Sequence, residues 1–256
     1  MKWDPEVYAQ FADFRDRPFH EMVARIGAAS PNIVTDLGCG LGNQTVTLTE
    51  RWPQAAIMGI DSSEEMIARA NAIEGYPHVH FKVGEATTFD ASVTDVLISN
   101  AMLQWIPEHR ELLSTWADQM HSGSWLAFQV PGNFEAPSHA LMRELASSPA
   151  WKKKLDGVLR GGETVSDPSD YLALLAGAGM IADAWETTYS QVLQGEDPVL
   201  GWVRGTALRP VYNALSPEDA DAFVAEYARL LRDAYPARDF GTVFEFRRIF
   251  AVAFKP

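Results

Sequence analysis

The chain has 256 residues, 47% of them hydrophobic, enough to bury one sizeable core. Its formal net charge of −13 repels phosphate backbones and anionic membrane, which argues against nucleic-acid and membrane partners, and a small anionic substrate would need a locally basic pocket. The one cysteine, Cys39, excludes an intrachain disulfide, and no apolar run is long enough for a signal peptide or a bilayer span, so a soluble, cytoplasmic protein is expected.

The segment from Pro5 to Gly27 has helical spacing. Tyr8, Phe11 and Phe14 lie three apart, and Met22, Val23 and Ile26 predict a second helix after Pro18. Ile33 to Leu37 reads as a short buried strand. A glycine cluster follows, then a helix from Thr45 to Trp52 ended by Pro53. Ala56 to Asp61 is a second strand, and Ser63 is placed to cap the helix that begins at Glu64. Val79 to Val83, Asp95 to Ser99 and Ser124 to Val130 are further strands, and Pro107 to His121 is a helix. Strands that alternate with helices require crossover connections, which predicts a doubly wound α/β fold with a mostly parallel sheet.

After Pro131 the pattern changes. Ser138 to Leu159 reads as helix, with a solvated basic run at Lys152, Lys153 and Lys154. Asp170 to Ala178 is a helix, Ile181 to Val192 a strand, and Pro198 to Leu215 and Ser216 to Tyr235 are helices. Ser216 at the N-cap and Pro217 at the first helical position suit the last of these. Thr242 to Phe254 closes the chain as a long strand. The expectation is one domain over 1–256, with helical cap insertions at 131–166 and 193–240.

The most informative stretch is Asp36-Leu37-Gly38-Cys39-Gly40-Leu41-Gly42-Asn43, directly after a strand and before a helix. Glycines there permit positive φ and let a ligand approach the backbone. The spacing is G-x-G-x-G, and Asn43 stands where the dinucleotide fingerprint G-x-G-x-x-G has its third glycine. Asp36 would be a poor neighbour for a pyrophosphate, but suits a zwitterionic ligand with an ammonium group. Asp61, ending the second strand, is placed to accept both hydroxyls of a ribose. The bland alternatives are a helix-capping role for Asp61 and a strand-end turn role for Asp36.

Val34-Thr35-Asp36-Leu37-Gly38-Cys39-Gly40-Leu41-Gly42 resembles the first motif of class I S-adenosylmethionine methyltransferases. The resemblance implies a Rossmann-like methyltransferase fold with a seven-stranded sheet and an antiparallel last strand, and S-adenosylmethionine as cofactor. It further implies that Gly38, Gly40 and Gly42 lie against the methionine part, that Asp61 holds the ribose, and that Ser62 and Met66 flank the adenine. Gly84-Glu85-Ala86 is similar to the adenine-side motif, with Glu85 where Asp is more usual. Trp3-Asp4-Pro5 with Tyr8, Phe11-Ala12-Asp13 and Arg15 resemble the trans-aconitate methyltransferase branch of that family. So do Arg51-Trp52-Pro53, Ser99-Asn100-Ala101-Met102-Leu103-Gln104-Trp105 and Phe246-Arg247-Arg248, a similarity that runs over nearly the whole chain. Leu41 departs from it, since proline is common there. The implied reaction is methyl-ester formation on a carboxylate of trans-aconitate or a similar small tricarboxylate.

That chemistry asks little of the side chains. A sulfonium methyl is already activated, so holding the nucleophile near, aligned and desolvated is the main task. A carboxylate acceptor is ionised at pH 7 and needs no base. No His-Asp or Cys-His arrangement crowds the glycine loop, and no metal-ligand spacing is present. A polycarboxylate does need cations, and arginine matches a carboxylate bidentately. Arg143, Arg160, Arg204, Arg209, Arg247 and Arg248 are the candidates. Arg247 and Arg248 are consecutive on a strand, so at most one should reach a pocket directly. A helix from Pro198 would put Trp202, Thr206 and Arg209 on one face.

An N-terminal helical lid over 1–30 would bring Tyr8 and Arg15 to the donor, with Arg15 pairing its carboxylate. Trp105 and Gln104, beside Asn100 in a strand-to-helix loop, are expected to position the reacting groups. His78, His80, His109 and His121 read as surface residues, and Cys39 as a small packing residue. Three other readings stay open: a phenol, amine or other metabolite as acceptor, a nicotinamide oxidoreductase, and a non-catalytic binder of the donor.

Overall fold

The computed structural model describes residues 12–159 and 165–256, and their side chains apart from Ala12, Asp13 and Arg15. Tyr8, Arg160 and the Arg15 side chain therefore lie outside the described residues.

The short apolar runs of the first half become strands β1 (Ile33–Leu37), β2 (Ala56–Asp61), β3 (Val79–Val83), β4 (Val96–Asn100) and β5 (Trp125–Pro131). Strands β6 (Ile181–Leu193), β7 (Ala237–Arg238) and β8 (Gly241–Phe254) follow. The sheet runs β3-β2-β1-β4-β5-β8-β6, with β7 paired to β8 off that path. Seven strands were expected; the eighth is the two-residue β7, which the sequence did not announce.

β1, β2, β3, β4 and β5 pair in parallel, with Leu37 opposite Ile60 and Asp36 opposite both Gly59 and Ile98. The last strand reverses. Lys255 bonds Gly123 and Ser124 just before β5, whereas the Arg247 carbonyl accepts the Gly132 amide just after it, at 2.9 Å, so β8 runs antiparallel to β5. The chain leaves β1 in one direction through β2 and β3 and returns on its other side as β4. Their carboxyl ends thus open on a topological switch point, where α/β sheets bind ligands.

The helices are α1 (Ala12–Ala24), α2 (Asn43–Arg51), α3 (Glu64–Ala70), α4 (His109–Gln119), α5 (Pro137–Ala146), α6 (Lys152–Leu155), α7 (Pro168–Gly177), α8 (Pro198–Arg204), α9 (Arg209–Ala214) and α10 (Pro217–Ala234). The expected caps are made: Ser63 Oγ accepts the Met66 amide at 3.3 Å, and Ser216 Oγ the Asp219 amide at 3.2 Å. No helix among the described residues is long and apolar enough to cross a membrane.

Three helix boundaries differ from expectation. α1 runs through Pro18 instead of restarting after it. An interior proline costs about 3 kcal/mol, but Phe19, Met22 and Val23 all point into the core and offset it by about 1.5–3 kcal/mol each. The stretch from Ser138 to Leu159 breaks into α5 and α6 at the turn Ser147–Pro149. Pro198 to Leu215 breaks into α8 and α9 around Gly205, a weak helix former.

The contacts divide the chain into two compact units. Among the described residues, one comprises 12–15, 132–159 and 188–248, with a core of Trp202, Phe223, Tyr227, Phe244 and Phe246. The other comprises 16–131, 165–187 and 249–256, with a core that includes Leu37, Leu97, Trp116, Phe128 and Tyr171. The stretches 131–166 and 193–240, expected as insertions, fall almost wholly in the first unit.

Candidate active site

Gly38, Gly40 and Gly42 all have positive φ, at 79°, 55° and 79°, which lets the chain reverse in one tight turn between β1 and α2. The amides of Gly38 and Cys39 both donate to the Ile60 carbonyl at 2.7 and 3.1 Å, and the Gly42 amide closes onto the Cys39 carbonyl at 3.0 Å. The glycines differ in what surrounds them. A Cβ on Gly38 would meet Met102 at 2.5 Å, and one on Gly42 would meet the Phe81 ring at 2.6 Å. A Cβ on Gly40 would meet nothing within 4 Å. Gly38 and Gly42 are therefore required for packing, and Gly40 is the glycine whose backbone stands open to a ligand.

Asp61, at the end of β2, holds this turn. Its Oδ2 accepts the Gly40 amide at 3.0 Å and its Oδ1 the Ser63 amide at 2.9 Å. A carboxylate has about four acceptor sites, so capacity for hydroxyl donors remains. Asp36 lies deeper, 2% exposed, with Oδ2 accepting the Thr45 hydroxyl at 2.6 Å. Burial pushes its carboxyl up from 3.8 to about 6; the Thr45 hydrogen bond opposes that and the Asp61 charge adds to it. Burial, with the Asp36 and Asp61 charges, also pushes the Cys39 thiol well above its usual range. It stays protonated and is no nucleophile.

The exit of β4 faces the same turn through Met102. Asn100 ends the strand, and Ala101 follows with φ 54°, a left-handed conformation rare for a residue with a side chain. The Ala101 amide donates to the Gln129 carbonyl at 2.8 Å, and its carbonyl accepts Gln104 Nε2 at 2.6 Å. Gln104 is 7% exposed and Trp105 is 49% exposed. Beyond them, His109 corrects the surface expectation: it is 3% exposed, because its Nδ1 lies 3.0 Å from the Ile106 carbonyl and its Nε2 2.8 Å from the Tyr171 hydroxyl. The Ile106 carbonyl makes Nδ1 the protonated nitrogen, so the Tyr171 hydroxyl donates to Nε2 and accepts the Ser166 amide at 3.2 Å.

Ser62 and Glu85 are exposed at the carboxyl ends of β2 and β3. Asp36, the three glycines, Asp61, Ser62, Glu85, Asn100, Gln104 and Trp105 thus gather along the carboxyl ends of β1, β2, β3 and β4. Sequence reasoning passed over Gln44 and Asp16, although Gln44 Nε2 donates to Asp16 Oδ1 and its Oε1 accepts from Asn100 Nδ2, both at 2.8 Å. A polar residue in the first turn of α2 was the available signal. In the other unit, Arg209 is exposed at the start of α9, and Arg247 is half-buried with its amide donating to Asn133 Oδ1. Arg248 is 5% exposed, its guanidinium 4.6 Å from the Phe246 ring centre. The helix break separates Trp202 from Arg209, and Trp202, 3% exposed, packs against Phe244 and Phe246 as core. Arg143 bonds the Phe134 carbonyl and Glu135.

A methyltransferase-domain family model matches residues 30–177. The trans-aconitate 2-methyltransferase of Rhodococcus jostii is 54% identical over 253 residues, covering 98% of this chain and 98% of that protein. The trans-aconitate 2-methyltransferase of Streptomyces avermitilis is 51% identical over 260 residues, covering 99% and 97%. Among solved structures, the YcgJ protein from Bacillus subtilis aligns with TM-score 0.60 at 16% identity, over 94% of this chain and 97% of that one, a likeness of fold. Geranyl diphosphate C-methyltransferase from Streptomyces coelicolor, solved with S-adenosyl-L-homocysteine, aligns with TM-score 0.54 at 15% identity over 98% and 83%. On a domain match over more than half its length and relatives of this identity from end to end, the chain belongs to the trans-aconitate 2-methyltransferase family.

Proposed function

We propose that this chain transfers a methyl group from S-adenosylmethionine to a carboxylate of trans-aconitate, or of a closely similar small tricarboxylate, giving the monomethyl ester. The observation that carries the donor is the glycine turn left open at Gly40 and pinned by Asp61. The acceptor follows from the name its relatives bear over their whole length.

The residues fit the donor. Gly40 leaves room for close approach, Asp61 has acceptor sites left for ribose hydroxyls, and Asn100 Oδ1 is a buried acceptor with no partner among the described residues. Gly38 and Gly42 shape the turn, Asp36 supplies negative charge beneath it, and Ser62 and Glu85 stand at the adenine side. Tyr8 and Arg15 are assigned to the donor's amino-acid end, in an N-terminal lid over 1–30. For the acceptor we assign Arg209, in segment 193–240, and Arg247 and Arg248, midway along β8; segments 131–166 and 193–240 are assigned as the specificity cap. Trp202, being core, is not assigned.

When bound, the donor supplies a methyl group on a positively charged sulfur, ready for in-line displacement. The protein's share is alignment and exclusion of water. Trp105 and Gln104 border the strand exit and hold the acceptor side. No general base is needed, because a carboxylate is already ionised at neutral pH, and the protonated Cys39 and the hydrogen-bonded His109 are not called on. The acidic surface, with net charge −13, fits a cytoplasmic enzyme without nucleic-acid or membrane partners.

Incubation with labelled S-adenosylmethionine and a panel of di- and tricarboxylic acids tests the reading. Label should enter trans-aconitate as a base-labile ester. Transfer only to phenols or amines would move the acceptor, and no binding of S-adenosylhomocysteine would remove the donor.

A further inference from the structure

Asn100 Oδ1, at the carboxyl end of β4, is shielded from solvent and has no hydrogen-bond partner among the described residues. Buried acceptors in that state are uncommon and unfavourable. The other end of the same amide is accounted for: Nδ2 donates to Gln44 Oε1, and Gln44 Nε2 donates to Asp16 Oδ1, each at 2.8 Å. The three residues come from three elements. Asp16 lies on α1, Gln44 in the first turn of α2 just past Gly42, and Asn100 on β4.

The order of these groups dictates their polarity. A carboxylate accepts hydrogen bonds and donates none, whereas each amide has a donating and an accepting end. Asp16 therefore draws the NH2 of Gln44, which leaves the Gln44 carbonyl for Asn100. That carbonyl draws the NH2 of Asn100, which leaves Oδ1 over. Turning either amide around would set like atoms against each other.

We propose that Asp16 and Gln44 are positioning residues that fix the Asn100 amide so that its oxygen, not its nitrogen, is presented to the ammonium group of the S-adenosyl ligand. The inference rests on the donor reading above and deepens it. An ammonium carries only donors, so an acceptor is the atom it requires. Asp36 and Asp61 flank the same turn and favour the same charge.

Calorimetric titration of the full chain with two ligands tests this. One is S-adenosylhomocysteine. The other is methylthioadenosine, the same nucleoside thioether without the ammonium and carboxylate. Asp16→Asn keeps the size and a hydrogen bond to Gln44, but it can pair in either sense, so only the polarity instruction is lost. Gln44→Met, similar in volume, cuts the relay in its middle. Both variants should bind S-adenosylhomocysteine about tenfold more weakly and methylthioadenosine within about twofold of wild type. Asp16→Glu, which restores a carboxylate, should recover most of the loss. Unchanged affinity for S-adenosylhomocysteine in both variants overturns the proposal. So does an equal loss for both ligands, the outcome of a merely structural role. Wild-type protein that binds neither ligand sinks the donor reading as well, a result the wild-type titration alone reveals.

Discussion

The Asp61 carboxylate takes the Gly40 amide at 3.0 Å, so the residue expected to grip a ribose also fastens the turn the donor would lie against. One side chain thereby links the ends of β1 and β2, so a substitution made to test a ribose contact there also disturbs the turn.

Asp61→Asn exposes this double duty. An asparagine offers one accepting atom where two backbone amides, of Gly40 and Ser63, now each bond a separate carboxylate oxygen. One amide must face an NH2. Losing that charge-assisted bond and a ribose contact should weaken S-adenosylhomocysteine about 10–100-fold. Calorimetry measures the loss, and circular dichroism should show the fold retained.

The glycines should separate by environment. Gly42→Ala combines a left-handed backbone with a Cβ 2.6 Å from Phe81, so about 2–5 kcal/mol of stability should be lost. Gly40→Ala meets no neighbour and should cost only the backbone strain, about 1–2 kcal/mol, while it blocks ligand approach. Urea unfolding and donor titration together should show Gly42→Ala as the worse fold and Gly40→Ala as a folded poor binder.

Asp36 makes a pH prediction. Its folded pKa, about 6, lies above its ordinary 3.8, so between these values the folded state holds a proton that the unfolded state has released. The stability contributed by the protonated carboxyl is therefore full at the acid end, falls as pH rises from 3.8 to 6, and is gone above. For a residue 2% exposed the span is at most about 3 kcal/mol. Asp36→Asn lacks this titration. Unfolding measured from pH 4 to 7 should show the variant gaining on wild type across that window and then running level, while its donor affinity falls.

Much of the architecture could be read from local chemistry. Strands β1 to β5 are short apolar runs between turn residues, and Ser63 and Ser216 announce the helices they cap. The glycine spacing with Asp36 and Asp61 pointed to the carboxyl ends of β1 and β2. What escaped depends on tertiary context. Nothing local reveals that burial of Phe19 and Met22 carries α1 through Pro18. His109 read as surface because its partner, Tyr171, lies far along the sequence. Gln44 looked like an ordinary helix residue because Asp16 and Asn100 approach it from other elements.

The His109 and Tyr171 pair should be costly to break. Tyr171→Phe leaves His109 Nε2 and the Ser166 amide without the hydroxyl that served both, a loss of about 1–3 kcal/mol. Desolvation holds the His109 pKa below 6.5, so the stability it contributes is present above that value and is lost as pH falls beneath it. Thermal unfolding of Tyr171→Phe at neutral pH should show the drop.

The arginines should divide by burial. Arg209 is exposed, so Arg209→Ala should leave the fold and donor affinity intact. If it grips an acceptor carboxylate, loss of a charge-assisted pair worth about 1.5–3 kcal/mol should raise KM for trans-aconitate about 10–100-fold. Arg209→Lys should fall between, since an ammonium cannot reproduce the bidentate fork. Arg248 stacks over Phe246 in the core of its unit, so Arg248→Ala should lower the melting temperature as well as the acceptor affinity. Arg247 faces the opposite side of β8, and strand geometry allows at most one of this adjacent pair to meet the substrate directly. Arg247→Ala and Arg248→Ala should therefore differ in KM, and the larger rise names the face of β8 that reads the acceptor. Parental KM for trans-aconitate in all three alanine variants would show that other residues hold its carboxylates.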